Sequence, residues 1–450
     1  MQDITSRLSR FIADLRYEQL PEAVVEQVKL FIADYYAACF AGYRINTGLN
    51  APVLELMLEM GGSEESTVLF SDKKLPASNA AFINAAYAHG ADMDDGNRKA
   101  AGHIGTHVMA AVFALAEARN ANWKDVVTAI VAGYEVFNRV AGAAQPSLYN
   151  KGFHSTGVGG SLACAAACAK LLNLDEKGIY NAVSLSAIQS SGLIIIDESG
   201  QGCKPINPAN AARTGVISAQ LAQKGLESSR NPLESKKGWF NAFSDGIDEE
   251  VLFGQLGETY TICESYLKLY PSCRHTHCCI DGILALREEI LADGEQPDGI
   301  ESIDVTIYPS AIKSAGHTPY PATADEVKFS IQYCIAAALL KGRFGLDELE
   351  IVEGYQTVVP KITLIPEPSM EDRKAGIRGA RLDVRMASGR TYSQTVLIPK
   401  GEAKKPLGWP DIRRKLSQCA GDMCSESVLD HIVEDLRGFA PGESFTILSI

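Results

Sequence analysis

The sequence predicts a mainly α protein with an α+β second domain: a large all-helical domain and a smaller α+β domain. Three observations lead to this prediction. Residues 1 to about 260 form amphipathic or alanine-rich segments, which are typical of helices that pack closely on other helices. Beyond residue 260, short stretches of alternating apolar residues predict strands. After Pro406 the pattern is helical again.

The helices of the first part are predicted from apolar spacing and from residues that commonly begin helices. Leu20-Pro21-Glu22 predicts the start of a helix that continues through Tyr36. Ser78 is predicted to cap another helix, and Trp123, Ser155, Asp175 and Pro208 stand near the start of others. The predicted helical ranges are 80–89, 126–141, 159–172, 179–191, 209–225, 410–419 and 425–436.

The second part combines strands with helices. Strands are predicted at 303–308, 361–364, 380–386 and 391–397, and Ser388-Gly389 is a turn signal between the last two. Helices are predicted at 277–292, 325–340 and 346–352. A strand, helices and a final meander predict an α+β domain at 266–399, inserted into an all-helical domain formed by 1–265 and 400–450.

Composition excludes several classes of protein. Lys and Arg number 42 against 55 Asp and Glu, a net charge of −13, which argues against nucleic-acid binding and against a polybasic membrane surface. The start of the chain does not resemble a secretory signal, and no apolar run reaches the ~20 residues of a membrane helix. The 11 cysteines are scattered irregularly, unlike a disulfide framework. We therefore expect a soluble, cytoplasmic protein.

One polar segment runs from His89 to Lys99 and continues to His107. Its three nearby carboxylates, on Asp92, Asp94 and Asp95, are the kind of ligand that Mg²⁺ prefers. His103 and His107 stand four residues apart, a zinc-binding spacing if helical. Neither ligand set is complete, so we expect no metal. An active-site loop and a solvated acidic loop before a helix remain open.

A second segment, Lys151 to Gly160, contains His154 and several glycines before an alanine-rich helix. A dinucleotide-binding loop is a weak interpretation, because the third glycine and the preceding strand are missing. The glycines are better explained by close helix packing. The helix start offers N–H groups to a carboxylate, whereas a structural role for His154 is the simpler alternative.

Two further segments carry lysine and arginine. Lys204 precedes Pro205 in a turn before a predicted helix, where a lysine is usually a surface residue. The segment from Lys268 to Cys279 holds two histidines and three cysteines. Zinc modules need paired Cys-x-x-Cys spacing, which is absent, so core packing is the better explanation of the cysteines.

These segments, taken in order, resemble the MmgE/PrpD family from Leu8 to about Leu436. The residues that carry the resemblance are His89-Gly-Ala-Asp92-Met-Asp94-Asp95, Gly152-Phe153-His154-Ser-Thr-Gly157, Lys204-Pro205 with Asn210-Ala-Ala-Arg213, Tyr270-Pro-Ser-Cys273-Arg274-His275-Thr-His277, and Pro321-Ala-Thr323 with Glu326-Val-Lys328-Phe-Ser330.

The resemblance implies a helical domain built from both chain ends, an α+β lid domain, a site between them and a homodimer. It also implies action on small polycarboxylates without a metal or an organic cofactor, as in 2-methylcitrate dehydratases, cis-aconitate decarboxylases and iminodisuccinate epimerases. By position, the implied catalytic residues are Asp92, His103, His154, Lys204 and Lys268. The candidate substrate-binding residues are Asn97, Arg98, Arg274, His275, His277 and, as a reserve, Tyr149.

The chain departs from the family pattern at two places. Gly96 stands where the family commonly has Thr or Ser, and Ile104-Gly105 where it commonly has Pro-Ser. Since these changes remove a hydroxyl donor, we expect a different substrate and favour an epimerase of the iminodisuccinate type. A dehydratase or decarboxylase is the alternative, and a non-catalytic helical binding protein is a second one. His154 and Lys268 are predicted to flank the reacting carbon, with His103 assisting.

Overall fold

A computed structural model describes residues 3–195, 202–372 and 375–448. Two units divide the chain: Met1–Leu267 with Gly408–Ile450 form the first, and Lys268–Leu407 form the second. The first is helical and the second mixes helices with a sheet, so the predicted fold class is confirmed. Within the described ranges, none of the helices has the length and apolar character that crossing a membrane requires.

The helices of the described residues are numbered in chain order. They are α1 (Ile4–Asp14), α2 (Glu22–Ile45), α3 (Thr47–Met60), α4 (Ala77–His89), α5 (Gly105–Arg119), α6 (Trp123–Ala143), α7 (Ser147–Asn150), α8 (Ser155–Val158), α9 (Gly160–Leu171), α10 (Glu176–Ala187), α11 (Ile206–Gln223), α12 (Trp239–Phe243), α13 (Glu249–Phe253), α14 (His277–Ala292), α15 (Pro309–Ala315), α16 (Ala324–Val327), α17 (Ile331–Lys341), α18 (Glu353–Gln356), α19 (Trp409–Ala420) and α20 (Glu426–Gly438). The strands are β1 (Ser66–Thr67), β2 (Lys74–Leu75), β3 (Ile300–Ile307), β4 (Ile362–Pro366), β5 (Glu371–Asp372), β6 (Ile377–Arg378), β7 (Ala380–Met386) and β8 (Thr391–Val396).

Capping residues explain where several helices begin. Asn122 accepts a hydrogen bond from the Asp125 N–H at the start of α6, and Asp175 accepts one from the Gly178 N–H at the start of α10. The predicted cap at Ser78 is wrong, because α4 begins at Ala77, after Pro76. The predicted helix 159–172 is confirmed as α9, and the short helix α8 precedes it.

Small residues let the central helices of the first unit approach one another closely. A Cβ added to Gly215 on α11 would lie 2.1 Å from the Cβ of Cys164 on α9. One added to Gly42 on α2 would lie 1.8 Å from the Tyr87 carbonyl oxygen on α4. At these two crossings only glycine fits. The alanine-rich helices that the sequence predicted to be buried therefore form the core.

The last two helices pack back onto the first unit, and cations from α2 bind their C-terminal ends. Arg44 donates hydrogen bonds from Nη1 to the carbonyl oxygens of Gln418 (3.0 Å) and Cys419 (2.9 Å), at the end of α19. Lys29 donates to the Arg437 carbonyl oxygen, at the end of α20. A cation at a helix C-terminus satisfies free carbonyls and complements the helix dipole.

The sheet of the second unit has the strand order β4-β3-β7-β8. β3 pairs parallel with β4 and antiparallel with β7, while β7 and β8 form the predicted hairpin, which turns at Gly389 (φ 88°). The predicted meander is therefore wrong in one respect, because β4 joins the far edge of β3 and does not pair with β7. The α15–α18 segment connects β3 to β4, as a parallel pair requires.

Two predicted helices of the second unit differ in the structure. The range 325–340 is split into α16 and α17, because Ser330 caps α17 by accepting a hydrogen bond from the Tyr333 N–H. The range 346–352 contains a 3₁₀ turn, Asp347–Leu349, in place of a helix. Side chains bind the backbone there: Glu348 accepts from the Gly345 N–H, and the Tyr333 hydroxyl accepts from the Val352 N–H.

Candidate active site

The loop between α4 and α5 carries several of the candidate site residues. Asp92, near its start, adopts a left-handed backbone conformation (φ 54°). Such a conformation costs about 1–3 kcal/mol in a non-glycine residue, so surrounding contacts must hold it. Gly96 exchanges two backbone hydrogen bonds with Tyr266, at 3.0 and 2.8 Å. A Cβ at Gly96 would lie 2.4 Å from the Tyr266 hydroxyl oxygen, which explains why this chain has no Thr or Ser there.

Asp95 ties this loop to the start of α5. One carboxylate oxygen, Oδ1, accepts a hydrogen bond from the Gly105 N–H (2.7 Å), and the other accepts one from the Tyr134 hydroxyl (2.7 Å). Burial, helped by the nearby Asp94 carboxylate, raises the pKa of Asp95 to about 7. A Cβ at Gly105 would lie 2.9 Å from Oδ1. Gly105 belongs to the second departure from the family pattern, and its lack of a side chain allows the Asp95 carboxylate to approach the start of α5 closely.

His103 is held in a defined orientation. Its Nδ1 lies 2.7 Å from the main-chain oxygen of Asp95, and a carbonyl oxygen only accepts, so Nδ1 carries the proton. Its Nε2 lies 3.6 Å from Oδ1 of Asp92. The Thr156 hydroxyl accepts a hydrogen bond from the His103 backbone N–H. In the neutral form, His103 therefore presents an unprotonated Nε2 beside a carboxylate.

Lys204 reaches the same carboxylate from the turn before α11. Its Nζ lies 3.2 Å from Asp92 Oδ1, and its side chain is 18% exposed. Lys204 is therefore not the solvated surface lysine that its turn suggested. One carboxylate oxygen of Asp92, Oδ1, pairs with the Lys204 ammonium and also faces the His103 imidazole.

His154 lies immediately before α8 and is almost fully buried. Its Nδ1 accepts a hydrogen bond from the Asn207 side-chain amide (3.0 Å), and the same amide nitrogen donates to the Leu193 carbonyl oxygen (3.1 Å). In the neutral ring, the proton is therefore on Nε2. Burial lowers the pKa of His154 well below its usual value, and Lys204 lowers it further. The ring is neutral near pH 7 and presents an N–H.

His89 and Asp94 complete this group, although sequence reasoning did not place them among the site residues. His89, the last residue of α4, has its Nδ1 2.7 Å from Asp94 Oδ2. Its ring centroid lies 4.8 Å from that of His103 and 6.0 Å from that of His154. The sequence feature that could have identified them is that both residues belong to the polar segment that begins at His89. We call the following residues the polar cluster: His89, Asp92, Asp94, His103, His154 and Lys204.

Four members of the polar cluster have a geometry that a metal ion could use. His89, Asp92, Asp94 and His103 each offer one ligand atom, and these atoms all lie within 4.8 Å of one another. Lys204, however, already places a positive charge 3.2 Å from Asp92. His103 Nδ1 is bound to a carbonyl oxygen, as described above. Metal independence stays a prediction.

The other predicted ligand sets do not form. Both carboxylate oxygens of Asp95 bind Gly105 and Tyr134, so this residue does not join Asp92 and Asp94. His107 is fully buried, and neither ring nitrogen has a hydrogen-bond partner among the described residues. Burial lowers its pKa to about 3. Outside the polar cluster, no group of three metal-type ligands occurs in the described ranges, and the 273–279 segment is no exception.

The candidate donors after Asp95 differ in their surroundings. The Asn97 side-chain oxygen accepts hydrogen bonds from the backbone N–H groups of Lys99 (2.9 Å) and Ala100 (3.1 Å), which stabilises the local turn. Lys99 is exposed and pairs with Glu264. Arg98 is half-buried. Tyr149, on α7, is 45% exposed. Substrate binding by Asn97, Arg98 and Tyr149 stays a prediction.

The remaining predicted residues belong to the second unit, where the Arg274 guanidinium already has a carboxylate partner. Its Nε and Nη2 donate to one oxygen of Glu402, at 2.9 and 2.8 Å. Its Nη1 donates to His277 Nδ1 (2.8 Å), and His277 Nε2 donates to the Ser272 carbonyl oxygen (3.3 Å). These contacts favour a structural role for Arg274 and His277. Glu402 was not predicted.

His275 and Lys268 are also placed within the second unit. The Nδ1 of His275 lies 2.6 Å from the Tyr308 hydroxyl oxygen, just after β3. Lys268 is buried, with 2% exposure. The assignment of these two residues, with Arg274 and His277, to the same site as His103 stays a prediction.

Comparisons with known proteins agree with the resemblance. A sequence model of the MmgE/PrpD N-terminal domain matches residues 6–251, and one of the MmgE/PrpD C-terminal domain matches residues 270–436. The chain is 26% identical over 460 residues to a cis-aconitate decarboxylase of Aspergillus terreus, covering 96% of this chain and 92% of that protein. It is 25% identical over 467 residues to the cis-aconitate decarboxylase of Homo sapiens, covering 100% and 94%.

The family matches extend over most of both units, and the segments that carried the resemblance include every residue of the polar cluster except His103, which follows in the same loop. A non-catalytic binding protein is therefore excluded. The chain belongs to the MmgE/PrpD family and is an enzyme of its lyase or isomerase type.

Proposed function

We propose that this enzyme is a lyase that removes CO₂ from a small polycarboxylate of the cis-aconitate type. The similarity to cis-aconitate decarboxylases over almost the whole chain supports this alternative. The epimerase that the sequence favoured has no such support. The observation that carries the proposal is the contact of His103 Nε2 and Lys204 Nζ with one oxygen of Asp92.

Decarboxylation places two demands on a site. When the bond between a carbon and its carboxylate breaks, the electron pair stays on the carbon skeleton and CO₂ departs. A proton must then reach that carbon. In total, a tricarboxylate substrate with three negative charges and one proton give a dicarboxylate product with two negative charges and CO₂. A cation near the remaining carboxylates stabilises the charge that develops in the transition state.

His103 meets the first demand. Its Nδ1 proton is fixed on the Asp95 carbonyl oxygen, so exchange with the substrate takes place at Nε2. When Nε2 is protonated, the Asp92 carboxylate 3.6 Å away stabilises the imidazolium. An imidazole titrates close to neutral pH, where it can both hold and release a proton. We assign His103 as the acid that protonates carbon.

Lys204 meets the second demand. It is the most exposed cation of the polar cluster, and its ammonium is a compact charge that suits a carboxylate. In the absence of substrate it pairs with Asp92. A substrate carboxylate that binds Lys204 shares this ammonium, which draws the substrate towards His103.

His154 is assigned a different role from the one predicted from sequence. The hydrogen bond from Asn207 occupies Nδ1, and the lowered pKa keeps the ring neutral. A neutral ring with a proton on Nε2 is poorly suited to remove a proton and well suited to donate a hydrogen bond. We assign this N–H to a substrate carboxylate oxygen.

The reaction type is tested by incubating the purified enzyme with a panel of di- and tricarboxylates, cis-aconitate first, in D₂O. A decarboxylase releases CO₂ and forms a product with one carbon fewer and one deuterium on carbon, seen by NMR. The His103→Gln protein, prepared in parallel, controls for contaminating activities. Water release would identify a dehydratase, and a product of unchanged mass an epimerase; either result overturns the proposal.

The homodimer implied by the resemblance and the cytoplasmic location expected from the composition belong to the same proposal. The relatives match over at least 92% of their length, which supports a shared assembly. Sedimentation equilibrium on the full chain tests the homodimer. A single species at the 48.4 kDa of one chain would overturn it.

A further inference from the structure

A fully buried lysine lies directly beneath the loop of the polar cluster. Lys415, on α19, has 0% side-chain exposure, and its Nζ lies 2.6 Å from Oδ1 of Asp34 on α2. The same ammonium donates a hydrogen bond to the main-chain oxygen of Met93 (2.7 Å). Lys415 therefore joins three segments of the first unit, and none of the reasoning about the reaction has used it.

Met93 stands between the two carboxylates of the polar cluster. Asp92 precedes it and pairs with Lys204, whereas Asp94 follows it and is hydrogen-bonded to His89. A hydrogen bond to the Met93 carbonyl fixes the peptide unit through which both side chains are oriented. The positive φ of Asp92 is a conformation that the local chain does not favour, so the loop needs such an external contact.

The helix that presents Lys415 is itself well fixed. Cys419, one turn further along α19, places its Sγ 4.0 Å from the Met93 sulfur. Arg44 binds the carbonyl groups at the end of α19. The face of α19 that carries Lys415 and Cys419 is therefore a rigid support beneath Met93.

Stability alone is a weak reason to bury this pair. Removing two charges from water costs about as much as their attraction returns, and apolar pairs of similar volume often serve equally well. An apolar pair at these positions would leave the Met93 carbonyl without its ammonium donor. The hydrogen bond to the loop is the feature that the Lys415–Asp34 pair supplies and an apolar pair cannot.

We propose that Lys415, neutralised by Asp34, is a positioning residue that sets the geometry of Asp92 and Asp94 through the Met93 carbonyl. It does not touch the substrate. The kinetic part of this inference rests on the proposed function, whereas the effect on the loop does not.

The test compares two double variants that each remove an ion pair from α19. D34N/K415M replaces the buried pair with uncharged side chains of similar size, and its methionine offers no donor to the Met93 carbonyl. R413Q/D430N removes a more exposed pair between α19 and α20, in which Arg413 Nε lies 2.7 Å from Asp430 Oδ1 and the same guanidinium also pairs with Glu426. Hydrogen exchange of the 92–97 backbone, read by mass spectrometry, reports the loop without any substrate. Steady-state kinetics and the pH profile of kcat report the polar cluster.

We expect D34N/K415M to speed amide exchange in 92–97 at least tenfold, to lower kcat at least tenfold and to shift the pH profile of kcat, with KM within threefold. The R413Q/D430N enzyme should stay within twofold in all respects. If no substrate is turned over by the wild type, the proposed function fails, while the exchange comparison still decides the positioning role.

A second variant separates positioning from stability. D34L/K415M replaces the pair with apolar side chains, which should keep the melting temperature while still losing the bond to Met93. A folded variant of either design with wild-type exchange and wild-type kcat would overturn the proposal. So would the failure of both designs to fold, because the pair would then be a requirement of the fold.

Discussion

His103 Nδ1 lies 2.7 Å from the carbonyl oxygen of Asp95, and this contact determines which nitrogen of His103 faces Asp92. The carbonyl that orients the ring belongs to the residue whose carboxylate caps α5. The orientation of the proposed acid therefore depends on the same turn that begins a buried helix. A rigid support of this kind keeps Nε2 in place without any contact from the substrate.

We expect His103→Gln to lower kcat by about 10²–10⁴-fold, the usual contribution of a general acid. Glutamine keeps a polar side chain at the position but cannot deliver a proton. Circular dichroism checks the fold, and CO₂ release checks the rate. His431→Gln, an exposed substitution on α20, is the control and should retain the wild-type rate. Equal rates in the two variants would remove His103 from the reaction.

Replacing Lys204 with Met should lower kcat/KM by about 10- to 150-fold, because a charge-assisted contact of about 1.5–3 kcal/mol is lost. The matched control is Lys99→Met, since Lys99 is exposed and pairs only with Glu264 on the surface. We expect this control within threefold of wild type. A Lys204→Met enzyme with wild-type kcat/KM would show that the substrate carboxylate binds elsewhere.

Arg274 and Glu402 allow substrate binding to be separated from structural support. Both side chains are about nine-tenths buried, so the loss of either partner leaves a buried charge, at a cost of about 3–5 kcal/mol. We expect Arg274→Met and Glu402→Gln to lower the thermal unfolding temperature by similar amounts. If Arg274 instead binds substrate, Arg274→Met alone will raise KM, and Glu402→Gln will leave KM unchanged.

His107 should make the protein sensitive to acid. Its pKa is lowered to about 3 in the folded state, against about 6.5 when unfolded. The unfolded state therefore binds the extra proton first, and stability falls as pH decreases from about 6.5 towards 3. We expect the melting temperature of His107→Gln to depend less on pH between 6.5 and 5. The exposed His317→Gln should keep the wild-type slope; a wild-type slope in His107→Gln would contradict the prediction.

Removal of metal ions should leave activity within twofold of the starting value. His89, Asp92, Asp94 and His103 are the residues that would hold an ion, and Lys204 already supplies a positive charge beside them. The measurement is CO₂ release after exhaustive chelation, with the metal content determined by elemental mass spectrometry. Loss of activity that Zn²⁺ or Mg²⁺ restores would show that this set is a metal site.

The sequence predicted the helices best where the signal is local. Pro21 before α2 and Asp175 before α10 act within one turn, so their positions are visible in the sequence. Ser78 is a suitable cap by type, but Pro76 fixes an earlier start for α4. The edge position of β4 depends on pairing across a long connection, and spacing alone does not reveal which strand it joins.

The candidate site was likewise predicted only in part from the sequence. The family resemblance carried by the polar segments implied Asp92, His103, His154 and Lys204 as catalytic residues, and the structure brings these four side chains together. Contacts between distant residues were not predictable: Arg274 and Glu402 lie 128 residues apart in sequence. The reason for Gly96 likewise lies in the hydroxyl of Tyr266, which no local pattern reports.

The pairing of Asp34 with Lys415 has a consequence for how the protein is made. The two residues are 381 positions apart, and all of the second unit is translated between them. At about 5–20 residues per second, Asp34 leaves the ribosome roughly 20–80 s before Lys415. A nascent chain that ends at Leu407 already contains every residue of the polar cluster but not the lysine beneath Met93. The contact beneath the loop can therefore form only after α19 has been synthesised, and we expect a chain that stops at Leu407 to lack activity.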